Sequence, residues 1–377
     1  MQINKYYTLR TNFHININEL KKYIVSNHYK PKTIILTGGM LNESDAKTAH
    51  GLIRGTERFE IVGIIDPLHK GKDAGEVLDG KKRNIPVYED VENVIAAVPD
   101  IRYCIIGIAT VGGVLPDHFI PIIKTCIKNK MSIVNGLHEY LINIPELVEL
   151  AQQHSVELID VRKPKNKKDL HFWTGEIFSV TTPIIAVIGT DCAMGKRTTC
   201  RLIRQACEKE NINAQMIYTG QTGWLQGGEY GFIFDSTLND FISGELEHAI
   251  VSCWKEKQPE IILVEGQSAL RNPSGPCGSE LLISGNAKNV ILVHAPKRKY
   301  YEHDPAWGEI PDVTSEIALI NMYGSRVIAL ALNTELCTEG EAKQFQQQYE
   351  SELQIPVLLP LQEGVEKIIP LLKEFLK

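Results

Sequence analysis

The chain has 377 residues, of which 43% are hydrophobic, and its formal net charge is −6. This length is typical of two domains with separate cores, and the negative charge excludes a general attraction to nucleic acid or anionic lipid. No apolar run reaches the ~18 residues of a membrane span, the first twenty residues are too polar for a signal peptide, and the eight cysteines lack metal-ligand spacing. We therefore expect a reduced, cytoplasmic protein without membrane or nucleic-acid partners.

Apolar segments of strand length alternate with helical patterns through the first half of the chain. The predicted strands are KTIILTGGM, FEIVGIID, RYCIIGIA, SIVNG and VELIDV, which begin at residues 32, 59, 102, 132 and 156. Helical patterns lie at residues 43–55, 116–130 and 144–154. Buried strands that alternate with helices predict a parallel sheet covered on both faces. We therefore expect an α/β, Rossmann-like domain over residues 1–161.

The residues at the strand ends of this half do not decide whether the domain binds its own ligand. Asp66 ends the second predicted strand, where a ribose-binding acid would lie, but TGGM (37–40) lacks the G-x-G-x-x-G pattern of a dinucleotide site. The alternative is a scaffold whose loops face the second domain. The polar segment 71–88 is expected to be a long loop that forms a lid or an interface.

A charged segment separates the two halves. Residues 162–182 break the alternation of strands and helices, and they begin with the basic run KPKNKK at 163–168. This run lacks interleaved aromatic residues, so a solvated linker is favoured over a nucleic-acid patch. The second domain is then expected over residues 183–377.

The segment AVIGTDCAMGKRTT (186–199) joins a buried strand to a helix with apolar spacing. A glycine turn in this place directs backbone N–H groups and a helix N-terminus at an anion, and Lys196 adds a positive charge. The spacing is G-x5-G-K-R instead of G-x4-G-K-[ST], and Arg197 replaces the hydroxyl that ligates magnesium in standard loops. We expect a P-loop NTPase-like, three-layer α/β/α domain that binds phosphate and whose magnesium site is in question.

Residues of this loop, its first helical turn and a strand-end asparagine suited to an adenine ring are predicted to bind a nucleotide-containing cofactor. They are Gly189, Thr190, Cys192, Ala193, Met194, Gly195, Lys196, Arg197, Thr198, Thr199 and Asn333. Glu265 ends the hydrophobic strand predicted at 260–265, where an acid could act as a base, hold a metal-bound water or bind an amine. Polar residues near the loop or at neighbouring strand ends are predicted to bind substrate: Gln221, Asp235, Gln267, Asn272 and His294.

Seven motifs together carry a resemblance to a known family. They are AKTAHGLIR (46–54), HKGKDAGEVLDGKKRNIPV (69–87), GLHEYL (136–141), DVRKP (160–164), GTDCAMGKRTT (189–199), TGQTGWL (219–225) and VEGQSAL (264–270). From about Thr33 onward the chain resembles the two-domain bacterial family that includes D-glutamate N-acetyltransferase. The resemblance implies transfer of an acetyl group from acetyl-CoA to the amino group of an amino acid, with D-glutamate as the example.

The resemblance also implies roles for three residues and explains the unusual loop. Coenzyme A carries phosphates that are never cleaved, so a phosphate loop can bind it without a catalytic magnesium ion. Asp191 and Glu265 are then candidates for amine binding and proton removal, and Lys196 for phosphate or oxyanion contact. The family pattern has a histidine at the position of Asn272, so the substrate of this chain stays open.

Two other classes of function remain as alternatives. The GTD opening and the five-residue spacing are similar to dethiobiotin synthetases, which predicts a kinase or ligase that uses ATP with magnesium. A non-catalytic nucleotide-binding regulator is the third class. In each case we expect a small-molecule ligand and a homo-oligomer.

Overall fold

The computed structural model describes residues 30–376, so the expectation about the first twenty residues lies outside the described part. Its first half contains a six-stranded parallel sheet in the order β3-β2-β1-β4-β5-β6. The strands are β1 Lys32–Leu36, β2 Glu60–Ile65, β3 Val87–Tyr88, β4 Tyr103–Ile106, β5 Ser132–Asn135 and β6 Leu158–Asp160. This order is that of a doubly wound Rossmann sheet, so the predicted fold class of the first domain is confirmed.

Five α-helices within residues 30–161 cover the two faces of this sheet. They are α1 Lys47–Arg54, α2 Ala74–Asp79, α3 Val91–Ala97, α4 Phe119–Lys128 and α5 Pro145–His154. Apolar side chains from both faces are buried, because each strand is covered on both sides. Connections through helices keep all the carboxyl ends of the strands at one edge of the sheet, where loops can build a site.

The segment 71–88 is not the polar loop that the sequence predicts. Asp73 caps α2 by accepting from the Gly75 N–H at 2.9 Å, and it also accepts from the N–H groups of Arg83 and Ile85 at 2.9 Å each. One carboxylate therefore starts a helix and folds the following turn back towards β3. The prediction was wrong because a helix of six residues is too short to show a clear apolar period.

Asp66 is buried and committed to its own loop. Its Oδ2 accepts from the Thr37 hydroxyl at 2.7 Å and from the Leu41 N–H at 2.9 Å, while Oδ1 accepts from the Leu68 N–H at 3.2 Å. A carboxylate with both oxygens satisfied in this way is not available to a ribose. This arrangement favours the alternative in which the first sheet is a scaffold whose loops face the second domain.

The second half contains a seven-stranded parallel sheet in the order β13-β12-β11-β7-β10-β8-β9. Its strands are β7 Ile184–Gly189, β8 Ala214–Tyr218, β9 Tyr230–Gly231, β10 Ile261–Glu265, β11 Asn289–His294, β12 Arg326–Leu332 and β13 Val357–Leu358. The helices are α6 Lys196–Lys209, α7 Gln221–Leu225, α8 Asn239–Lys257, α9 Ser279–Ile283, α10 Val313–Met322, α11 Glu339–Leu353 and α12 Ile369–Glu374. Separate apolar clusters bury the two faces, as expected of a three-layer α/β/α domain.

The segment 162–182 is exposed at residues 164–169, as a solvated linker would be, but its other parts pack against α8. Ile177 is fully buried in the core of the second domain, and its N–H donates to Glu247 at 3.1 Å. Lys165 forms an ion pair with the buried Glu245 at 2.5 Å, so even the basic run is anchored. The packing of this segment could not be predicted from the sequence, because its partners are acids on α8, 70 to 80 residues further along the chain.

The two domains share a packed interface. Trp224 of α7 lies in a buried cluster with Leu52 and Phe59 of the first domain. Arg58 stacks 4.3 Å from the centre of the Trp224 ring, and its Nε donates to the Trp224 carbonyl oxygen at 2.8 Å. The short helix α7 is therefore held by both domains.

The described residues include no helix that is both long and apolar enough to cross a membrane. All eight cysteines lie in this part of the chain and carry free thiols.

Candidate functional site

The predicted phosphate loop lies between the central strand β7 and the long helix α6. Gly195 precedes the helix with φ 92°, a left-handed conformation that glycine adopts without the strain of a side chain. At Gly189, an added Cβ would lie 3.2 Å from Lys196 Cδ, so a side chain there would crowd the lysine. The loop therefore closes tightly around Lys196 and directs the N-terminus of α6 at its centre.

Lys196 is buried and folded back onto the loop. Its Nζ donates to the carbonyl oxygens of Asp191 at 2.6 Å and of Ser268 at 2.7 Å. Burial lowers the pKa of this ammonium group, because the charged form loses its hydration. An anion at the loop would regain favourable interactions for the charged form, which makes Lys196 a suitable phosphate ligand.

Arg197 points from the loop into the interface between the domains. A Cβ added at Gly51 of α1 would lie only 2.8 Å from Arg197 Nη2, so the absence of a side chain at Gly51 makes room for the guanidinium. Among the described residues, the buried Arg197 Nε has no hydrogen-bond partner. Burial lowers the pKa of Arg197, and the negative charge of Glu265 opposes this effect.

Glu265 ends β10, next to the loop, and is also buried. Its Oε2 accepts from the Thr219 N–H at 3.3 Å, and its carbonyl oxygen accepts from the Thr219 hydroxyl at 2.8 Å. Burial raises the pKa of this carboxyl group, and Arg197 is the largest opposing influence. A guanidinium and a carboxylate thus take the places where standard P-loop enzymes have a hydroxyl and the acid that hold magnesium.

Asp191 is fully buried and holds the loop in shape. Its Oδ2 accepts from Arg298 Nη1 at 3.0 Å and from the Glu302 N–H at 2.9 Å, and its Oδ1 accepts from Asn272 Nδ2 at 2.8 Å. Asn272 is also fully buried, and its Oδ1 accepts from the Ser274 N–H at 2.9 Å. Both side chains anchor the loop instead of facing an open cleft.

One group of potential metal ligands lies beside Asp191. The ligand atoms of Asp191, Cys192 and Glu302 lie within 4.8 Å of one another. Burial raises the pKa of the Cys192 thiol to about 11, and a metal would have to displace its proton. Arg298 already neutralises Asp191, so this cluster is poorly suited to a cation.

His294 and Asn333 support the end of the sheet beside the loop. His294 Nδ1 lies 3.0 Å from the Thr190 hydroxyl, and burial lowers its pKa to about 4, so the ring is neutral. Asn333 donates its backbone N–H to the His294 carbonyl oxygen at 2.8 Å, and its Oδ1 accepts from the Glu335 N–H at 3.0 Å. These contacts place both residues near the loop and engage the His294 ring and the Asn333 Oδ1 atom within the protein.

The other predicted substrate residues, Gln267, Gln221 and Asp235, each have a polar partner within the protein. Gln267 Nε2 donates to the Thr219 hydroxyl at 2.8 Å. Gln221 Oε1 and Asp235 Oδ2 both accept from Arg162 Nη2, at 3.0 Å and 2.9 Å. The structure thus adds Arg162 and its neighbour His138, which the sequence analysis did not single out as site residues. The motifs GLHEYL and DVRKP, which contain them, were the available signal.

A basic cleft of about 380 Å³ runs between α6 and the first domain. Thr198 and Arg201 line it from α6, and four charged residues line it from the first domain: Arg54, Asp79, Lys81 and Arg83. Asp79 already pairs with Arg54 and Arg83, and Glu57 pairs with Arg201. The four basic residues still exceed these two acids, so the cleft keeps a net positive charge.

These features define a two-domain α/β protein with a Rossmann-like scaffold and a phosphate-binding loop. Residues 171–369, more than half of the chain, match the family described as "Domain of unknown function (DUF1611_C) P-loop domain". Residues 67–164 match "Domain of unknown function (DUF1611_N) Rossmann-like domain". The chain belongs to the DUF1611 family.

Relatives of known name or structure agree with this assignment. A crystal structure of a DUF1611 family protein from Anabaena variabilis has a TM-score of 0.83 and 27% identity, and the match covers 92% of this chain and 100% of that one. A protein from Pseudoalteromonas named D-glutamate N-acetyltransferase is 29% identical over 271 residues, 70% of this chain and 79% of the relative. One of the same name from Tritonibacter scottomollicae is 24% identical over the same shares. The family resemblance inferred from the motifs is thereby confirmed.

Proposed function

We propose that this protein is an N-acetyltransferase that uses acetyl-CoA and acts on the amino group of an amino acid, with D-glutamate as the first candidate. The observation that carries the proposal is the pairing of a phosphate loop with Arg197 and Glu265 at the positions of the magnesium ligands. A loop of this kind suits phosphates that are bound and never cleaved. The names of the two curated relatives support the same activity.

The residues present fit coenzyme A. Lys196 and the N-terminus of α6 offer positive charge to a diphosphate. The basic cleft beside α6 offers Lys81 to a further phosphate group, while Arg83 and Arg201 line it in ion pairs with Asp79 and Glu57. The donor would supply an activated acyl group, and the protein would supply anchoring for its charges.

The two predicted acids suit positioning better than proton transfer. Asp191 accepts three hydrogen bonds that shape the loop, and Arg298 pairs with it. Glu265 is buried opposite Arg197 and holds Thr219 at the end of β8. We therefore assign Asp191 to the shape of the loop and Glu265 to the position of Thr219, with a charge that offsets that of Arg197.

Thermal unfolding with different ligands tests this proposal against the ATP-using alternative. A ligand that binds only the folded state raises the midpoint of unfolding by mass action. We expect acetyl-CoA and CoA to raise it equally with magnesium or with EDTA. Stabilisation by ATP with magnesium alone would contradict the proposal.

A further inference from the structure

A cluster of polar side chains lies where the two domains meet, apart from the phosphate loop. Arg162 Nη2 donates to Asp235 Oδ2 at 2.9 Å and to Gln221 Oε1 at 3.0 Å, and the same Asp235 oxygen lies 3.9 Å from His138 Nε2. Solvent reaches 11% of the Arg162 side chain, 41% of Asp235 and 46% of His138. The arginine is thus fixed, whereas the carboxylate and the imidazole are open to a ligand.

Two glycines allow the backbone to pass close to the side chains of the cluster. Gly113 has φ 66°, and a Cβ there would lie 2.5 Å from His138 Cδ2 and 2.7 Å from the His138 backbone nitrogen. At Gly136, a Cβ would lie 3.0 Å from Gln221 Cγ. Larger residues at these two positions would displace His138 and Gln221, so Gly113 allows close approach within the first domain and Gly136 allows it between the two sheets.

Short segments connect this cluster to the phosphate loop. Gln221 follows Gly220, where a Cβ would lie 3.1 Å from Gln267 Nε2. The next residue along, Ser268, accepts through its carbonyl oxygen from Lys196. A continuous series of contacts therefore connects the cluster to the loop. A transferase needs its acceptor site and its donor site close to each other in this way.

We propose that this cluster binds the acceptor amino acid, with Arg162 holding the α-carboxylate, Asp235 holding the α-ammonium group and His138 accepting a proton from the nitrogen. The inference rests on the proposed transfer to an amino group. An arginine beside an exposed aspartate offers one charge of each sign, which matches the two charges of an α-amino acid. Burial and the charge of Arg162 lower the pKa of His138 while Asp235 opposes them, which favours the neutral imidazole that a proton acceptor needs.

In the proposed reaction, His138 accepts the first proton that the amino group loses. The ammonium group passes a proton to His138, and the nitrogen lone pair then forms the bond to the acyl carbon. The bond from that carbon to sulfur breaks, and its electron pair leaves with the sulfur. The second proton lost by the nitrogen ends on the sulfur as a thiol, and His138 returns its proton to solvent.

Calorimetric titration of the full chain with amino acids tests the binding part without any acyl donor. The probes are D-glutamate, glutarate, which lacks the ammonium group, and 4-aminobutyrate, which lacks the α-carboxylate. We expect D-glutamate to bind most tightly, and Asp235→Asn and Arg162→Gln to weaken it by about 10- to 100-fold. Arg326→Gln, at the exposed start of β12, is the matched control and should bind as the wild type does.

The catalytic part is tested by the rate of thiol release. His138→Gln should lower kcat by about 10²- to 10⁴-fold with little change in KM for the amino acid. His154→Gln, at the end of α5 and thus at the far edge of the sheet, should leave kcat unchanged.

Two results would overturn the inference. The first is that Asp235→Asn and Arg162→Gln bind D-glutamate with affinities within about twofold of the wild type. The second is that His138→Gln has an unchanged kcat. Because Arg162 is largely buried, stabilisation of each variant by CoA serves to show that it is folded. If the wild type binds D-glutamate through these residues but releases no thiol from acetyl-CoA, the proposed transfer fails while the amino-acid site stands.

Discussion

The ammonium group of Lys196 donates a hydrogen bond of 2.7 Å to the carbonyl oxygen of Ser268, which follows the strand β10. This contact joins the phosphate loop to the turn that also carries Gln267. Since Glu265 lies three residues before Ser268, one short segment contacts Lys196 and carries the acid opposite Arg197. A ligand that draws Lys196 away from the Ser268 carbonyl oxygen would therefore also affect the position of the turn after β10.

The first prediction concerns Lys196. Replacing it with alanine removes the positive charge and leaves the carbonyl oxygens of Asp191 and Ser268 without their donor. We expect Lys196→Ala to weaken CoA binding at least tenfold, roughly the effect of losing a charge-assisted hydrogen bond. Calorimetric titration with CoA measures this. Lys209→Ala, at the last turn of the same helix, is the control, and equal affinities in the two variants would show that the loop is not the phosphate site.

The second prediction concerns the residue after the lysine. Arg197→Thr restores the hydroxyl that ligates magnesium in standard loops and removes the buried guanidinium. We expect this variant to bind CoA more weakly than the wild type in EDTA. We also expect magnesium to raise its affinity for ATP, whereas the wild type should be indifferent to the metal. A wild type whose CoA affinity falls in EDTA would be inconsistent with a guanidinium in the place of magnesium.

The third prediction concerns Gly51, which faces Arg197 across the domain interface. An alanine there would place Cβ 2.8 Å from Arg197 Nη2 and 2.8 Å from Thr222 Cγ2. We expect Gly51→Ala to lower the free energy of unfolding by about 1–3 kcal/mol, as overpacking does, although alanine favours helices. Gly340→Ala in α11 meets no atom within 4 Å and should instead stabilise by about 0.4–1 kcal/mol. Denaturant titration compares the two, and equal effects would contradict a close contact at Gly51.

The fourth prediction is a pH dependence of stability that arises from His294. Burial lowers its pKa from 6.5 to about 4 in the folded state, so the unfolded chain binds more protons between these values. Stability from this group is therefore complete above pH 6.5 and is lost as the pH falls towards 4, by up to about 3 kcal/mol. Denaturant titrations at several pH values measure this slope. His294→Asn should reduce it, and an unchanged slope would mean that His294 does not titrate as described.

Local sequence patterns were sufficient for the architecture of both domains. Continuous apolar segments separated by helical patterns predicted the parallel sheets, because strands buried on both faces require them. The glycines and Lys196 predicted a turn from strand to helix, and Gly195 indeed precedes α6 with a positive φ.

Contacts between distant parts of the chain could not be predicted in this way. Asp191 looked like a free acid, but Arg298, more than a hundred residues later, pairs with it. Arg162 lay in a segment predicted to be a linker, although it meets Asp235 across the domain interface. A charged side chain carries no local sign of its partner, so its role depends on packing that only the folded chain reveals.

The central claim is tested most directly by incubating the wild type with acetyl-CoA and D-glutamate in EDTA. Thiol release is followed together with the mass of the amino-acid product. The account predicts one thiol released for each N-acetylglutamate formed, no release without an amino acid, and no need for magnesium. Absence of thiol release across a panel of D- and L-amino acids, together with consumption of ATP in the presence of magnesium, would contradict it.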